Sequence, residues 1–277
     1  MKQRIITAAI GICIILPCII FSNTIIFDIF IALCCAIATF EIINCTRKIG
    51  NSALTIPSLL LAFVIPFLVR RFEIDYTKLI LVFSVIYFIY VISLSLFSKG
   101  KFKITDATII VCMVIYMLVG FTSLIYIRDV VRADDGTNVG IYYLLAALLS
   151  AWIPDSGAYF VGIKYGKTKL IPDVSPKKTV EGLLGGIATN VLVFIIYSIV
   201  INTIFNVKLN AILLILLSIL LTLVSVIGDL LASLVKRYYN IKDYGNLLPG
   251  HGGIMDRFDS VLSTSLVTFV IVLLIYC

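Results

Sequence analysis

Runs of apolar residues, each close to the length of a bilayer crossing, constrain this chain more than any other feature. They cover residues 5–22, 25–45, 53–69, 79–97, 107–127, 139–163, 181–205, 210–235 and 261–277. A transmembrane helix needs ~20 apolar residues. Hydrocarbon offers backbone groups no partner, so such runs fold as helices that satisfy their own hydrogen bonds. Of 277 residues, 61% are hydrophobic and 13% charged, against about 45–50% apolar and about 25% charged in soluble domains. The pattern excludes a soluble enzyme. It predicts an all-α, polytopic integral membrane protein with about nine transmembrane helices. These fall into an N-terminal set, helices one to five over 1–127, and a C-terminal set, helices six to nine over 139–277, within one integral membrane unit. The first run follows Lys2 and Arg4. It is longer than a signal-peptide core and has no A-x-A-like site after it, so a retained helix is expected.

Lysine and arginine placement sets the orientation. With nine spans and a cytoplasmic N-terminus, 16 of these residues fall inside and 6 outside, which together make the chain's 22. Arg70 and Arg71, on the outside, fit least well. The C-terminus is then outside, and the segment from Lys236 to Ser260 is cytoplasmic. The net charge of +7 suits anionic lipid. Without a soluble basic domain it does not suggest nucleic acid. All seven cysteines lie in the apolar runs, Cys45 at the very end of one, and no C-x-x-C pair occurs; small apolar packing accounts for them.

Ionisable residues inside spans are costly and face polar cavities or one another. Asp28 and Glu41 lie near helix ends, where Asp28 can reach the interface and Glu41 can pair with Arg47 or Lys48. Asp155 and Asp229 differ. Asp155 follows Pro154 and precedes Ser156, Gly157 and Ala158, a bend followed by small residues suited to helix contact. Asp229, Ser233, Lys236 and Arg237 recur at helical spacing and share one face. That face runs from a carboxylate in the membrane to two cations at its surface.

Two polar loops complete the pattern. In 164–180, Gly166, Lys167 and Thr168 resemble a phosphate loop, but Gly162 stands one residue too close for the Walker spacing and no strand precedes it. Ser175, Lys177 and Lys178 could bind phosphate as a donor and point charges, the alternative being a positive-inside loop of solvated lysines. The second loop, "KDYGNLLPGHGGIMDRFDS" from Lys242 to Ser260, holds the only histidine, His251. Gly245, Gly250, Gly252, Gly253 and Pro249 mark a tight turn whose amides can face an anion. Asp256 and Asp259, three apart, share a helix face. Two hard oxygen ligands beside phosphate-binding amides suit Mg2+. His251 could act as a base, donate to a phosphate or pin the loop, and a lone histidine is more often structural.

The segment "SLVKRYYNIKDYGNLLPGHGGIMDRFD", Ser233 to Asp259, resembles the signature of phosphatidate cytidylyltransferases, and "PDSGAYFVGIKYGKTKLIPDVSPKKTVEGLLGG", 154–186, resembles the same family's second polar region. One departure is visible: where bacterial members often read G-D-L-x-E-S, this chain has Ala232 in place of the carboxylate. The resemblance implies transfer from CTP to phosphatidate, giving CDP-diacylglycerol and pyrophosphate in phospholipid biosynthesis. It implies Mg2+, with room for a second cation, held by Asp229 and Asp256 with Asp259 beside them. Lys236, Arg237, Lys242 and Arg257 would hold phosphates, with Asp155, Ser175, Lys177, Lys178, Ser233, Asp243, Gly252 and Gly253 lining the substrate site. The family also carries the expectation of a homodimer, on which the residues themselves are neutral. A transporter would place its site near the midplane of repeated halves, and no internal repeat is seen. A CDP-alcohol phosphotransferase would start D-G-x-x-A-R, which is absent.

Overall fold

The computed structural model describes residues 2–48, 50–68, 76–130, 138–205, 207 and 209–276. Arg70, Arg71, Arg132 and Lys208, which entered the charge count, lie outside the described residues. In order, the elements are α1 (Lys2–Ile20), α2 (Ile25–Cys45), α3 (Ser52–Leu68), α4 (Tyr76–Phe97), α5 (Ile104–Val130), α6 (Gly140–Tyr165), β1 (Lys169–Ile171), β2 (Ser175–Thr179), α7 (Val180–Ile204), α8 (Ala211–Tyr238) and α9 (Met255–Tyr276). Among the described residues, seven helices are long and apolar enough to cross a membrane, and α3, of 17 residues, is a shorter apolar helix. The chain is all-α as expected, and the loop 164–180 adds one short antiparallel hairpin, β1 with β2. The Val180 amide donates to the Thr168 carbonyl at 3.0 Å and Val174 closes the turn onto Ile171.

The chain resolves into two compact units. One comprises Met1–Asp129 with Tyr238–Phe258, the other Val130–Arg237 with Asp259–Cys277. In the first, α2 to α5 bury an aliphatic core that includes Ile31, Ile42, Leu54, Ile65, Met117 and Phe121. Polar bonds cross it: Ser58 with Tyr87 at 2.9 Å, and Tyr76 with Thr122 at 2.8 Å. The outer face of α4 leaves Leu81, Ile86, Phe88 and Ile89 exposed, as a helix solvated by lipid requires. Lys48 at the end of α2 donates to the Lys101 carbonyl at 2.9 Å and pairs with Asp106 at 3.7 Å. The α2–α3 and α4–α5 connections therefore share one end of this unit.

In the second unit α6 and α7 pack closely through small residues. A Cβ on Gly185 would strike Val161, and one on Gly186 would meet the Pro154 carbonyl at 2.9 Å. This is the close backbone approach that membrane helices achieve with small residues. Thr179 caps α7, its hydroxyl accepting from the Gly182 amide at 3.1 Å. Deeper in, the Asn190 amide bonds Ser150, the Ser218 carbonyl and Thr222 at 2.9–3.2 Å, tying α6, α7 and α8 together.

Candidate functional site

Two polar clusters stand out, one in each unit. The first lies at one end of the second unit. β2 presents alternate side chains to opposite faces, so Lys177 is exposed while Lys178 turns inward. Its Nζ lies 2.5 Å from Oδ2 of Asp229 on α8. Arg237, two turns further along α8, donates from Nε to the Val174 carbonyl at 3.4 Å, at the turn between β1 and β2. The hairpin and the end of α8 are thus held together by the residues that the sequence pattern singled out.

Asp259 on α9 completes this cluster. It is 8% exposed, shares a hydrogen bond with Asp229 and interacts with the buried Lys236 ammonium. Gly228 makes the approach possible: a Cβ there would meet the Asp259 carbonyl at 2.8 Å and overlap the Ser263 hydroxyl. Two carboxylates therefore face two ammonium groups, Lys178 and Lys236. Paired carboxylates of this kind suit Mg2+, which takes one or two of them together with substrate phosphates. Among the described residues no group of three or more His, Cys, Asp or Glu stands ready to hold a metal. Of the three aspartates of the sequence reading, Asp229 and Asp259 are partnered with each other, and Asp256 accepts from loop amides. Ser233 is half-buried on α8, and Asp155 is exposed on α6. Ala232, at the departure from the family pattern, is buried.

The second cluster is the loop from Tyr239 to Ile254, in the first unit. Leu248-Pro249-Gly250-His251 forms a turn in which the His251 amide donates to the Leu248 carbonyl at 2.8 Å, with Gly250 at φ 77°. Proline second and a positive-φ glycine third are what a type II turn demands. Gly252 also has positive φ, 83°, and the Asp256 side chain occupies the space a Cβ there would need. Oδ2 of Asp256 accepts from the Tyr244 amide at 2.7 Å and the Gly253 amide at 3.0 Å. This folds the loop back onto the first turn of α9. The half-open cleft here, about 550 Å³, is lined by Lys242, Asp243, His251, Gly252 and Arg257 among others. His251 Nδ1 is buried without a hydrogen-bond partner among the described residues.

Other contacts moor the loop. Tyr239 donates to Asp106 on α5 at 2.9 Å, and Thr7 on α1 donates to the Pro249 carbonyl at 2.9 Å. Burial and the Asp106 bond push the Tyr239 phenol above its ordinary pKa, so it remains a donor. The residue missed by sequence reasoning is Glu41. It pairs with neither Arg47 nor Lys48 but accepts from the Ile254 and Met255 amides. Its one sequence signal was a carboxylate inside an apolar run. Asp28 does not reach an interface; it is 1% exposed.

Residues 2–275 match the family described as the Cytidylyltransferase family. The chain is 35% identical to a protein of Bacillus subtilis named phosphatidate cytidylyltransferase, over 95% of this chain and 94% of that one. It is 34% identical to proteins of the same name from Staphylococcus epidermidis and Staphylococcus haemolyticus, each over 95% of both chains.

Proposed function

Since this chain belongs to the cytidylyltransferase family, we infer that its two polar clusters carry the transfer of a cytidylyl group from CTP to phosphatidate. The chain is a nucleotidyltransferase of phospholipid biosynthesis, and its product is CDP-diacylglycerol. The observation that supports this assignment of roles is the meeting of Lys178, Asp229, Lys236 and Asp259 from three separate stretches of sequence.

The reaction joins a phosphatidate oxygen to the α-phosphorus of CTP and breaks the bond to the β-phosphate, releasing pyrophosphate. Such transfers need little covalent work from the protein, so positioning and charge stabilisation dominate. Asp229 and Asp259 are the residues that would hold Mg2+. Mg2+ held by them would supply neutralisation of charge on the nucleotide phosphates and the pyrophosphate. Lys178 and Arg237 orient phosphate oxygens, and the buried Lys236 balances the carboxylate pair. In the loop cluster, Lys242, Arg257 and the amides around Gly252 receive the polyphosphate of CTP. Asp256 also anchors the backbone there, accepting from the Tyr244 and Gly253 amides. The attacking phosphate is already largely ionised at neutral pH, its second pKa near ~6 like that of phosphoserine, so His251 is not required as a base. Its buried Nδ1 is assigned to substrate contact.

The reading includes nine crossings, a cytoplasmic N-terminus and both clusters on the cytoplasmic side. The lysine and arginine bias supports this, and so does the chemistry, which needs a cytosolic nucleotide to meet a lipid headgroup. The test is incorporation of labelled CTP into chloroform-soluble lipid by purified protein with phosphatidate and Mg2+. Product that depends on both substrates supports the reading. Transport of solute into vesicles without any lipid product would sink it.

A further inference from the structure

Glu41 lies in an apolar stretch of α2 and is 4% exposed. A buried carboxylate is costly unless it is fully hydrogen-bonded. Here its oxygens take two consecutive amides: Oε1 accepts from Ile254 at 3.0 Å and Oε2 from Met255 at 2.9 Å. Two glycines close around the group. A Cβ on Gly245 or on Gly253 would overlap the Glu41 carboxylate. On the far side of the same backbone, Asp256 holds the amides of Gly253 and Tyr244. The short segment Gly253–Met255, where the loop becomes α9, is thus gripped by two carboxylates, one from α2 and one from its own helix.

The geometry suits a carboxylate and no other side chain. A glutamine accepts through one oxygen and would turn its own NH2 towards the second amide. An aspartate is one methylene shorter and would reach one amide well. Leu, the natural choice for lipid or core, would leave two buried amides unsatisfied. Ordinary packing therefore does not explain the residue, and the glycines at 245 and 253 make room for it specifically.

We propose that Glu41 is the positioning residue of the phosphate-binding loop. In this role it acts through the loop backbone. By fixing Gly253–Met255 it sets the direction of Asp256 and the shape of the cleft that Lys242, His251 and Arg257 line. The proposal rests on the reading of that cleft as the site of the CTP polyphosphate. Groups that orient a binding shell from outside it typically change affinity or activity about 10–100-fold when altered.

The experiment uses the full-length protein in detergent and the variants Glu41→Gln, Glu41→Asp and Gly245→Ala. Hydrogen exchange over residues 244–256 is followed without nucleotide or metal, and CTP and Mg2+ titrations follow. In Glu41→Gln, exchange at Ile254 and Met255 should accelerate about 10-fold, as expected for one lost bond to a charged acceptor. Half-saturating CTP should rise and kcat fall, by about 10-fold or more, with the KM for phosphatidate unchanged. Glu41→Asp should lie between this variant and wild type in both readouts. Gly245→Ala keeps Glu41 but displaces its carboxylate, so it should reproduce the glutamine variant, and combining the two should add nothing. Wild-type exchange at Ile254 and Met255 with wild-type CTP dependence in Glu41→Gln overturns the proposal. If Glu41→Gln is not recovered folded, Gly245→Ala decides by the same two measurements. A wild-type protein that makes no CTP-dependent lipid would overturn the reading of the cleft instead, while the exchange data would still judge the grip of Glu41.

Discussion

At the scale of single residues, Lys178 and Asp229 form a pair whose partners do unequal work. Both side chains keep about a quarter of their surface exposed, 23% and 26%, and exposed ion pairs contribute only ~0.2–1 kcal/mol to stability. Removing either charge should leave the fold standing. Asp229→Asn keeps the shape but is a poor ligand for Mg2+; kcat should fall by about 10²–10³, the cost of losing one preorganised electrostatic contact. Lys178→Ala should cost about 10-fold in kcat or KM, roughly 1.4 kcal/mol. Lys177→Ala, on the opposite face of β2, and Lys99→Ala, on another loop, should do neither. The CTP-incorporation assay on protein of matched melting temperature measures all four. Normal turnover by Asp229→Asn refutes its metal role, and equal effects at Lys177 and Lys178 would reduce the hairpin to a positively charged surface. His251 is the other residue whose role divides cleanly. Base catalysis would contribute about 10²–10⁴-fold, whereas one phosphate contact is worth only ~10-fold. His251→Gln retains a donor and should keep more activity than His251→Ala, with the acidic limb of its pH–rate profile intact. Both variants equally inactive, with that limb gone, would make His251 an acid–base catalyst.

Among elements, the contact between α8 and α9 is set by Gly228. A methyl there would meet the Asp259 backbone carbonyl at 2.8 Å as well as the Ser263 side chain. The side chain can turn away and the carbonyl cannot, so Gly228→Ala should force the helices apart. Overpacking of this kind costs about 1–3 kcal/mol, and the Asp229–Asp259 bond should weaken with it. A lower melting temperature together with a raised Mg2+ requirement is the expected result; a lowered melting temperature alone would mean that the carboxylate pair does not need this spacing. The glycine could be read from sequence as a small residue beside Asp229, but its partner on α9 could not. The same holds elsewhere. Hydropathy found the helices because lipid enforces length and composition. It began the last helix at residue 261, whereas α9 starts at Met255, because its polar first turn is not apolar and is stabilised by Glu41. That bond joins residues 213 and 214 apart in sequence, a separation at which no periodicity informs. The hairpin was missed for a related reason: β1 and β2 span only 3 and 5 residues, too short for an alternating pattern to register. The motifs 154–186 and 233–259 were legible because their polar residues have no other reason to interrupt apolar helices.

For the whole molecule the open quantity is which helices cross. The weakest candidate is α3, 17 residues with Pro57 and Pro66 inside it, or ~25 Å at about 1.5 Å per residue. That is short of the ~30 Å of hydrocarbon in a typical bilayer. Yet Lys48, just before α3, bonds to Lys101 and Asp106, just after α4. The two connections share an end of their unit, so α3 and α4 must both cross or both stay on one side. α4 is 22 residues long with an apolar exposed face, long and apolar enough to cross. If α4 crosses, α3 is expected to cross with it by locally thinning the bilayer, at a cost of fractions of a kcal/mol per Å of mismatch. The Tyr239–Asp106 bond brings the start of the loop from Tyr239 to Ile254 to the same end. This predicts a labelling pattern. In a cysteine-free background, Lys99→Cys and Asn246→Cys should react with a membrane-impermeant maleimide in inside-out vesicles only. Asn138→Cys, across α5, should react in right-side-out vesicles only. Lys99→Cys and Asn246→Cys reacting from opposite sides would contradict the shared end, because no single crossing pattern could then satisfy both Lys48 and Tyr239. All three reacting with the sides exchanged would keep the architecture and reverse its orientation, placing the nucleotide cleft where no cytosolic CTP reaches it.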